Sequence, residues 1–256
     1  MQPAGCWNAY RFTMRPIGLF LVIVVASSVP AFAQSTQSNY PQEHHEWEAS
    51  LFVGYGSPNR FQFPTPVSGS GQEVSRTVRM EYSSGYVLGL RINQNVNDFL
   101  GVDLEYSFAD QKLVFANISP SIQSLPLTQY IHHFSYNVSF LPWPRSKRLR
   151  PYVDAGVGAG LFYIAKPSKK DALDLGLKLR DSWEFLGNVG GGFKYMIQDP
   201  LAVTVDLKDR ITRIPSYGIP TSAQVAGGQF QPGMALHGVM HNWQVNVGIT
   251  YEWDEW

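Results

Sequence analysis

A single cysteine, Cys6, stands in the 256 residues, too few for a disulfide framework or a cysteine metal site within the chain. Charge of one sign is also missing. Lys+Arg and Asp+Glu number 20 each, so the chain lacks the basic footprint of a nucleic-acid binder and no nucleic-acid partner is expected. Charged residues make up only 16%, and no apolar run reaches the roughly 20 residues that a membrane-spanning helix requires. What is plentiful points elsewhere: aromatics at 14%, with 23 Gly and 17 Pro, suit many strands and turns better than a helix bundle.

The amino-terminal segment reads as an export signal. Arg11 and Arg15 precede an apolar run from Ile17 to Ala26, and Ala31-Phe32-Ala33 supplies a small-x-small cleavage site. Cleavage after Ala33 is expected, and Met14-Arg15 would itself begin a compact signal. Removing residues 1–33 takes away Cys6 and two arginines, leaving 18 basic against 20 acidic residues. Residues 34–45 then form a periplasmic N-terminal segment and 46–256 the folded domain.

Eight segments of about ten residues alternate apolar with polar or glycine, the period of a β-strand. They begin at Glu46, Gly85, Phe99, Tyr130, Val153, Phe185, Leu201 and Asn242. In the third, Leu100, Val102, Leu104, Tyr106 and Phe108 oppose Gly101, Asp103, Glu105 and Ser107. In the last, Trp243, Val245, Val247, Ile249, Tyr251 and Trp253 oppose Asn242, Gln244, Asn246, Gly248, Thr250 and Glu252.

The direction of each face follows from aromatic placement. A soluble barrel or sandwich would put the charged face in water, and a periplasmic lipocalin-like binding protein is the rival of that kind. Trp47 with Tyr55, and Trp243 with Tyr251 and Trp253, bracket the apolar faces as aromatic belts at two membrane interfaces do. The apolar face therefore reads as lipid-facing. Connections alternate as well: 95–98, 144–150 and 198–200 are short turns, while 57–82, 109–129, 165–182 and 211–241 are long. The fold class expected is all-β, a closed antiparallel eight-stranded transmembrane β-barrel with short periplasmic turns and long extracellular loops. At that size side chains fill the interior.

Asn246-Val247-Gly248-Ile249-Thr250-Tyr251-Glu252-Trp253 resembles the C-terminal insertion signal of small bacterial outer-membrane barrels, and Pro151–Gly158 and Asn188–Tyr195 are similar to their glycine-rich strands. Over residues 46–256 the chain resembles the OmpA-like transmembrane domain and its eight-stranded relatives. The resemblance implies a cell outer membrane location in a diderm bacterium, with Asn246, Gly248, Tyr251 and Trp253 read by the barrel assembly machinery. Outer-membrane lipid and lipopolysaccharide are the other partners implied. The peptidoglycan-binding domain of larger relatives is not expected, because the chain ends with the last strand. Asp254-Glu255-Trp256 beyond the signal departs from the family pattern.

Candidate site residues are the mid-strand charges: Glu48, Arg91, Asp103, Glu105, Asp154, Lys194, Asp206, Lys208, Arg210 and Glu252. Alternating strands place Glu48 near Arg91 and Asp154 near Lys194, with Asp206, Lys208, Arg210 and Glu184 in a higher tier. Two accounts stand, a structural plug of compensating ion pairs and a gate for a narrow channel. His132-His133-Phe134-Ser135 raises a third function, a lipid A-modifying hydrolase. His132 and Ser135 face opposite ways, however, and His133 and Ser135 face the lumen.

Leu173, Leu175, Leu177 and Leu179, and Val74, Val78, Met80 and Tyr82, are expected to continue outward phases above the membrane, a strand being preferred to a helix over 168–181. Lys166, Lys169 and Lys170 are candidate lipopolysaccharide contacts, and Arg145, Lys147, Arg148 and Arg150 candidate phospholipid contacts in a periplasmic turn. His44-His45 and Asn117-Ile118-Ser119 receive no role. No cofactor, metal or catalysis is expected. The reading is a structural or surface-interaction barrel, with an unidentified external ligand possible at the loops.

Overall fold

The computed structural model describes residues 46–253 other than 59–60, 70–71, 118–122, 145, 222–223, 227–228 and 232–235, with backbone alone for the remainder of 61–78 and 224–231. The export signal, Met14, Cys6, residues 34–45, Ile118, Ser119, Arg145 and Asp254–Trp256 lie outside the described residues, as do the side chains of Val74 and Val78.

The strands are β1 (Trp47–Pro58), β2 (Phe61–Gly69), β3 (Gln72–Tyr82), β4 (Gly85–Asn95), β5 (Leu100–Ala116), β6 (Ser124–Phe140), β7 (Leu149–Ile164), β8 (Ser182–Gln198), β9 (Leu201–Arg213), β10 (Gln224–Ala226), β11 (Gln229–Gln231) and β12 (Val239–Trp253); helix α1 (Lys166–Asp174) lies between β7 and β8. Eight of them close a barrel in the order β1, β4, β5, β6, β7, β8, β9, β12, every neighbour antiparallel and β12 returning to β1. Residues paired in register lead from Trp47 through Gln94, Val102, Val138, Ala155, Val189, Asp209 and Trp243 back to β1 at Ser57, ten residues further along. A stagger of that size over eight strands tilts them about 40° from the axis. No edge is left within the barrel, which is what lipid, offering no hydrogen-bond partner, demands.

The faces divide as the alternation requires. Leu104 is 62% exposed and Val157 55%, whereas Asp103 is 4% and Lys194 6% exposed. Apolar side chains form the outer wall and ionisable ones line the interior, so a soluble lipocalin-like arrangement is ruled out.

Further up, the pattern inverts. On β5 the outward set runs Leu104, Tyr106, Phe108 and then Asp110, Lys112, while the inward set runs Asp103, Glu105, Ser107 and then Ala109, Leu113, Phe115. Ile131, Leu127 and Leu125 on β6, Phe162 and Ile164 on β7, and Met240 on β12 are likewise buried above the polar lumen. The inversion marks where the apolar wall ends: beyond it the outside meets water and the inside becomes an ordinary hydrophobic core.

This inversion corrects several expectations. Residues 109–129 are mostly the tips of β5 and β6 rather than a loop, and 57–82 carries the β2–β3 hairpin, β3 pairing with β5 through Arg79–Tyr82. Met80 and Tyr82 point inward and are buried. Residues 166–174 form the helix α1 instead of a strand, and Leu177 and Leu179 are buried in the core while Leu173 and Leu175 are exposed. The helix forms because Pro167 opens its first turn and Gly176, at φ +81°, ends it.

Candidate functional site

The inner wall carries two tiers of charge. In the middle tier Glu105, fully buried on β5, accepts from three cations: Arg91 of β4 at 2.7 Å, Lys208 of β9 at 2.8 Å, and Arg210 of β9. Arg91 also reaches Asp206 at 3.2 Å and lies 3.9 Å from Asp103, and its guanidinium covers the Phe52 ring at 5.6 Å. Lys208 bridges to Asp154. Neutral donors complete the tier: Asn137 donates to Asp103 at 2.6 Å, Asn246 to Asp206 at 2.7 Å, and the Tyr152 hydroxyl to Asp206 at 3.0 Å.

Nearer the periplasmic end Lys194 meets Glu48 and, at 3.4 Å, Glu252, while Asn95 donates to Glu48 at 2.7 Å. Arg150, buried opposite Lys194 on the adjacent strand, belongs to this level. It is therefore a lumen residue, and the expected contact of Arg150 with phospholipid is wrong. Lys147 and Arg148 remain exposed in the turn.

The structure thus gathers all ten predicted charges inside the barrel but pairs them differently. Glu48 lies opposite Asn93, not Arg91, and ion-pairs with Lys194; Asp154 lies opposite Gly190 and ion-pairs with Lys208. Glu184 stands apart from the tier, accepting from Ser182 at 2.7 Å. The stagger and the narrow lumen explain the difference, since long side chains reach across the barrel as readily as to a neighbouring strand. Glycines make the room: a Cβ on Gly190 would lie 2.7 Å from both Asp154 Oδ1 and Lys208 Cγ. Asn137, Tyr152 and Phe52 were not singled out from sequence, although each sits in the inward phase of its strand.

Above the charges lies the apolar plug. Ile214, Tyr217 and Ile219, from the connection after β9, pack with Leu177, Leu179, Leu113, Phe115 and Met240. Tyr217 has φ +51°, rare for a bulky residue, and is held there by its surroundings: Gln129 Nε2 donates to its hydroxyl at 2.5 Å, and that hydroxyl lies 3.0 Å from the hydroxyl of Tyr82. The backbone N–H of Arg180 donates to the Tyr217 carbonyl at 2.8 Å and ties two external connections together. Burial pushes the Tyr217 phenol above its ordinary value, so it stays protonated.

The remaining candidates fall on the wall. Tyr55 sits edge-on to Tyr86 with ring centres 5.9 Å apart, near the upper end, whereas Tyr251 and Trp253 stack at 6.2 Å at the lower end, where Trp47 opposes Trp253 across β1 and β12. Trp243 faces outward on β12. Gly248 of the same strand accommodates Phe52 and Thr204, whose atoms a Cβ would approach to 3.0 and 2.8 Å. His133 faces the lumen, 3.5 Å from Ser107, whereas His132 faces outward, 2.9 Å from the Tyr106 hydroxyl; no catalytic grouping with Ser135 results. Lys169 is engaged by Asp181 at 2.8 Å and lies over the Tyr163 ring at 5.0 Å. Among the described residues no group of three metal ligands occurs.

A closed eight-stranded barrel with an apolar exterior and a charged interior is an integral protein of the bacterial outer membrane. The chain belongs to the outer membrane protein beta-barrel domain family, which it matches over residues 19–251. Among solved structures, OprG from Pseudomonas aeruginosa superposes with a TM-score of 0.53 at 17% identity, covering 84% of this chain and 99% of that one. Neisserial surface protein A gives 0.47 at 10% identity over 81% and 97%, and the outer membrane protease OmpT from Escherichia coli 0.42 at 9% over 86% and 99%. No curated protein matches the sequence. At such identities the likeness concerns the fold alone.

Proposed function

We propose that the protein is a closed, non-conducting outer-membrane barrel with a structural or surface-interaction role, working through its wall and external loops rather than its lumen. The observation that carries this reading is the filling of the interior by two unlike materials. Ion pairs occupy the periplasmic half and the apolar plug the external half. A cavity of about 30 Å³ between Glu48, Arg91, Asp103, Tyr152 and Lys194 admits a water or two and no larger solute. The gate reading would require both layers to open together, at the cost of separating Glu105 from three cations in a low-dielectric interior.

The export signal over 1–33, recognition of residues 246–253 by the assembly machinery, and anchoring by Trp47, Tyr55, Trp243, Tyr251 and Trp253 belong to the same proposal. So do contacts of Lys166 and Lys170 with lipopolysaccharide and of Lys147 and Arg148 with phospholipid headgroups. Planar-bilayer recording on the purified protein tests the central point. Silence at every voltage is expected, and stepwise conductance in the wild-type protein would overturn it.

A further inference from the structure

The lumen below the apolar plug does not balance its own charges. Among the described residues six carboxylates are buried there against five Lys and Arg side chains. Asp209, the other buried carboxylate, faces the outer wall, where His241 Nδ1 lies 2.6 Å from its Oδ2. His133, the one buried imidazole, stands higher, 3.5 Å from Ser107, and adds a cation only when protonated. At the periplasmic level Glu48 and Glu252 are matched by Lys194 and Arg150. The surplus therefore sits in the middle tier. There Arg91, Lys208 and Arg210 are taken up by Glu105, Asp206 and Asp154. Asp103, the fourth carboxylate of the tier, is left with Arg91 Nε at 3.9 Å and the Asn137 amide. It is 4% exposed, and a buried carboxylate so weakly matched is costly.

The hydrogen bonds beside Asp103 fix which way the next amide points. Glu48, ion-paired with Lys194, can only accept, so Asn95 presents Nδ2 to it at 2.7 Å. Asn95 Oδ1 in turn accepts from Asn93 Nδ2 at 3.1 Å. Asn93 is thereby left with its Oδ1 turned the other way, buried and without a partner among the described residues. That oxygen and Ser139 Oγ converge beside Gly101, where a Cβ would lie 2.8 Å from each. Asn93 stands directly opposite Asp103 across β4 and β5. Asn93, Asp103 and Ser139 all border the cavity of about 30 Å³, whose wall also includes Asn95 and Leu141 at the periplasmic end of β4 and β6.

We propose that Asp103, Asn93 Oδ1 and Ser139 Oγ hold a monovalent metal cation of sodium's size inside the lumen. One carboxylate with an amide and a hydroxyl oxygen is a hard, weakly charged donor set, whereas magnesium and calcium sites draw on more oxygens or more carboxylates. The charge agrees: a single positive ion cancels the surplus of the tier, and a divalent ion would reverse it. The size agrees as well, since the cavity admits the ion with a water to complete its coordination and excludes organic cations. Entry is from the periplasmic side, past Asn95 and Leu141. The site goes beyond the closed-lumen reading and stands whether or not the barrel conducts.

The test compares sodium chloride with choline chloride at one ionic strength, using the folded protein in phosphatidylcholine vesicles. Choline is too large for the cavity and serves as the non-binding cation. The urea midpoint is expected to rise with sodium along a single-site curve. At fixed urea the folded-to-unfolded ratio should increase about tenfold when sodium stands at about nine times its dissociation constant. The sodium-NMR line of the protein in uncharged detergent micelles is expected to broaden and to sharpen again when lithium or potassium is added in excess. Asp103→Asn keeps the shape, removes the charge and should abolish both responses; Ser139→Ala should weaken them several-fold. Asp110→Asn, an exposed carboxylate on the outward face of the same strand, should leave them unchanged. Unboiled electrophoretic mobility verifies that each variant is folded. A midpoint and line indifferent to sodium in the wild-type protein would leave the surplus to a proton and overturn the proposal. A response that survives Asp103→Asn, or that Asp110→Asn abolishes equally, would overturn it too, as general counterion screening.

Discussion

The two halves of the lumen are enclosed by the same eight strands and are filled on opposite principles. Below the inversion, charged and amide side chains satisfy one another behind an apolar wall; above it, Leu113, Phe115, Leu127, Phe162 and Tyr217 pack as the core of a soluble protein would. The environment outside decides which filling is used. Where lipid surrounds the wall, apolar residues are already placed favourably outward, and the inward phase is left to polar groups that must pair. Where water surrounds it, the hydrophobic effect pulls the apolar phase inside. A strand such as β5 obeys both rules within one chain, with the exchange between Phe108 and Asp110.

That contrast predicts unlike responses to substitution, the largest in the charged half. Glu105→Gln keeps the shape but leaves Arg91, Lys208 and Arg210 without the carboxylate they share, and is expected to destabilise the barrel by about 3–5 kcal/mol. The check is the urea midpoint in phospholipid vesicles, read by tryptophan fluorescence and by unboiled gel mobility. Adding Lys208→Met removes one of the stranded cations, so the double variant should lose less than the sum of the two single losses, by about 0.5–3 kcal/mol. Strict additivity would mean that the tier is not one network.

Next in size, Leu113→Ala in the plug should cost about 2–5 kcal/mol through lost burial and the cavity left behind. It should do so with little dependence on salt and without creating conductance, because the ion pairs below remain intact. A channel appearing in this variant would show that the apolar layer alone seals the lumen.

How far the sequence reveals these halves depends on what each is built from. The faces of the eight strands are legible because period-two alternation is local and a mid-strand charge such as Asp103 or Lys194 has only one tolerable side. The pairing of those charges is not legible, since it depends on a stagger of ten residues that alternation leaves open. The upper half is misread for a related reason. Met80, Tyr82, Leu177 and Leu179 carry an apolar alternation like that of the wall, yet beyond the lipid boundary the same pattern points inward. Nothing local signals that boundary, although the appearance of Asp110 and Lys112 in the outward phase of β5 is a usable clue. The Asp209–His241 pair escapes notice because its residues lie 32 positions apart and meet only through the register of β9 with β12.

The smallest expected effect sharpens the comparison at the top of the plug, where one hydroxyl with two polar contacts is embedded in apolar packing. Tyr217→Phe keeps the ring against Phe115, which it meets edge-on at 6.3 Å, and removes only the hydroxyl that receives Gln129 Nε2. That hydroxyl also lies 3.0 Å from the Tyr82 hydroxyl, so two buried contacts go together and the loss should be about 1–3 kcal/mol. Tyr217→Ala removes the ring as well and should cost about 3–5 kcal/mol. If the two variants proved equally damaging, the hydroxyl rather than the ring would hold the segment in its left-handed backbone. The external half would then be kept closed by a polar latch and not by packing. A small loss for phenylalanine and a large one for alanine, in the same urea titration, would place the seal in the apolar contacts of Ile214, Tyr217 and Ile219.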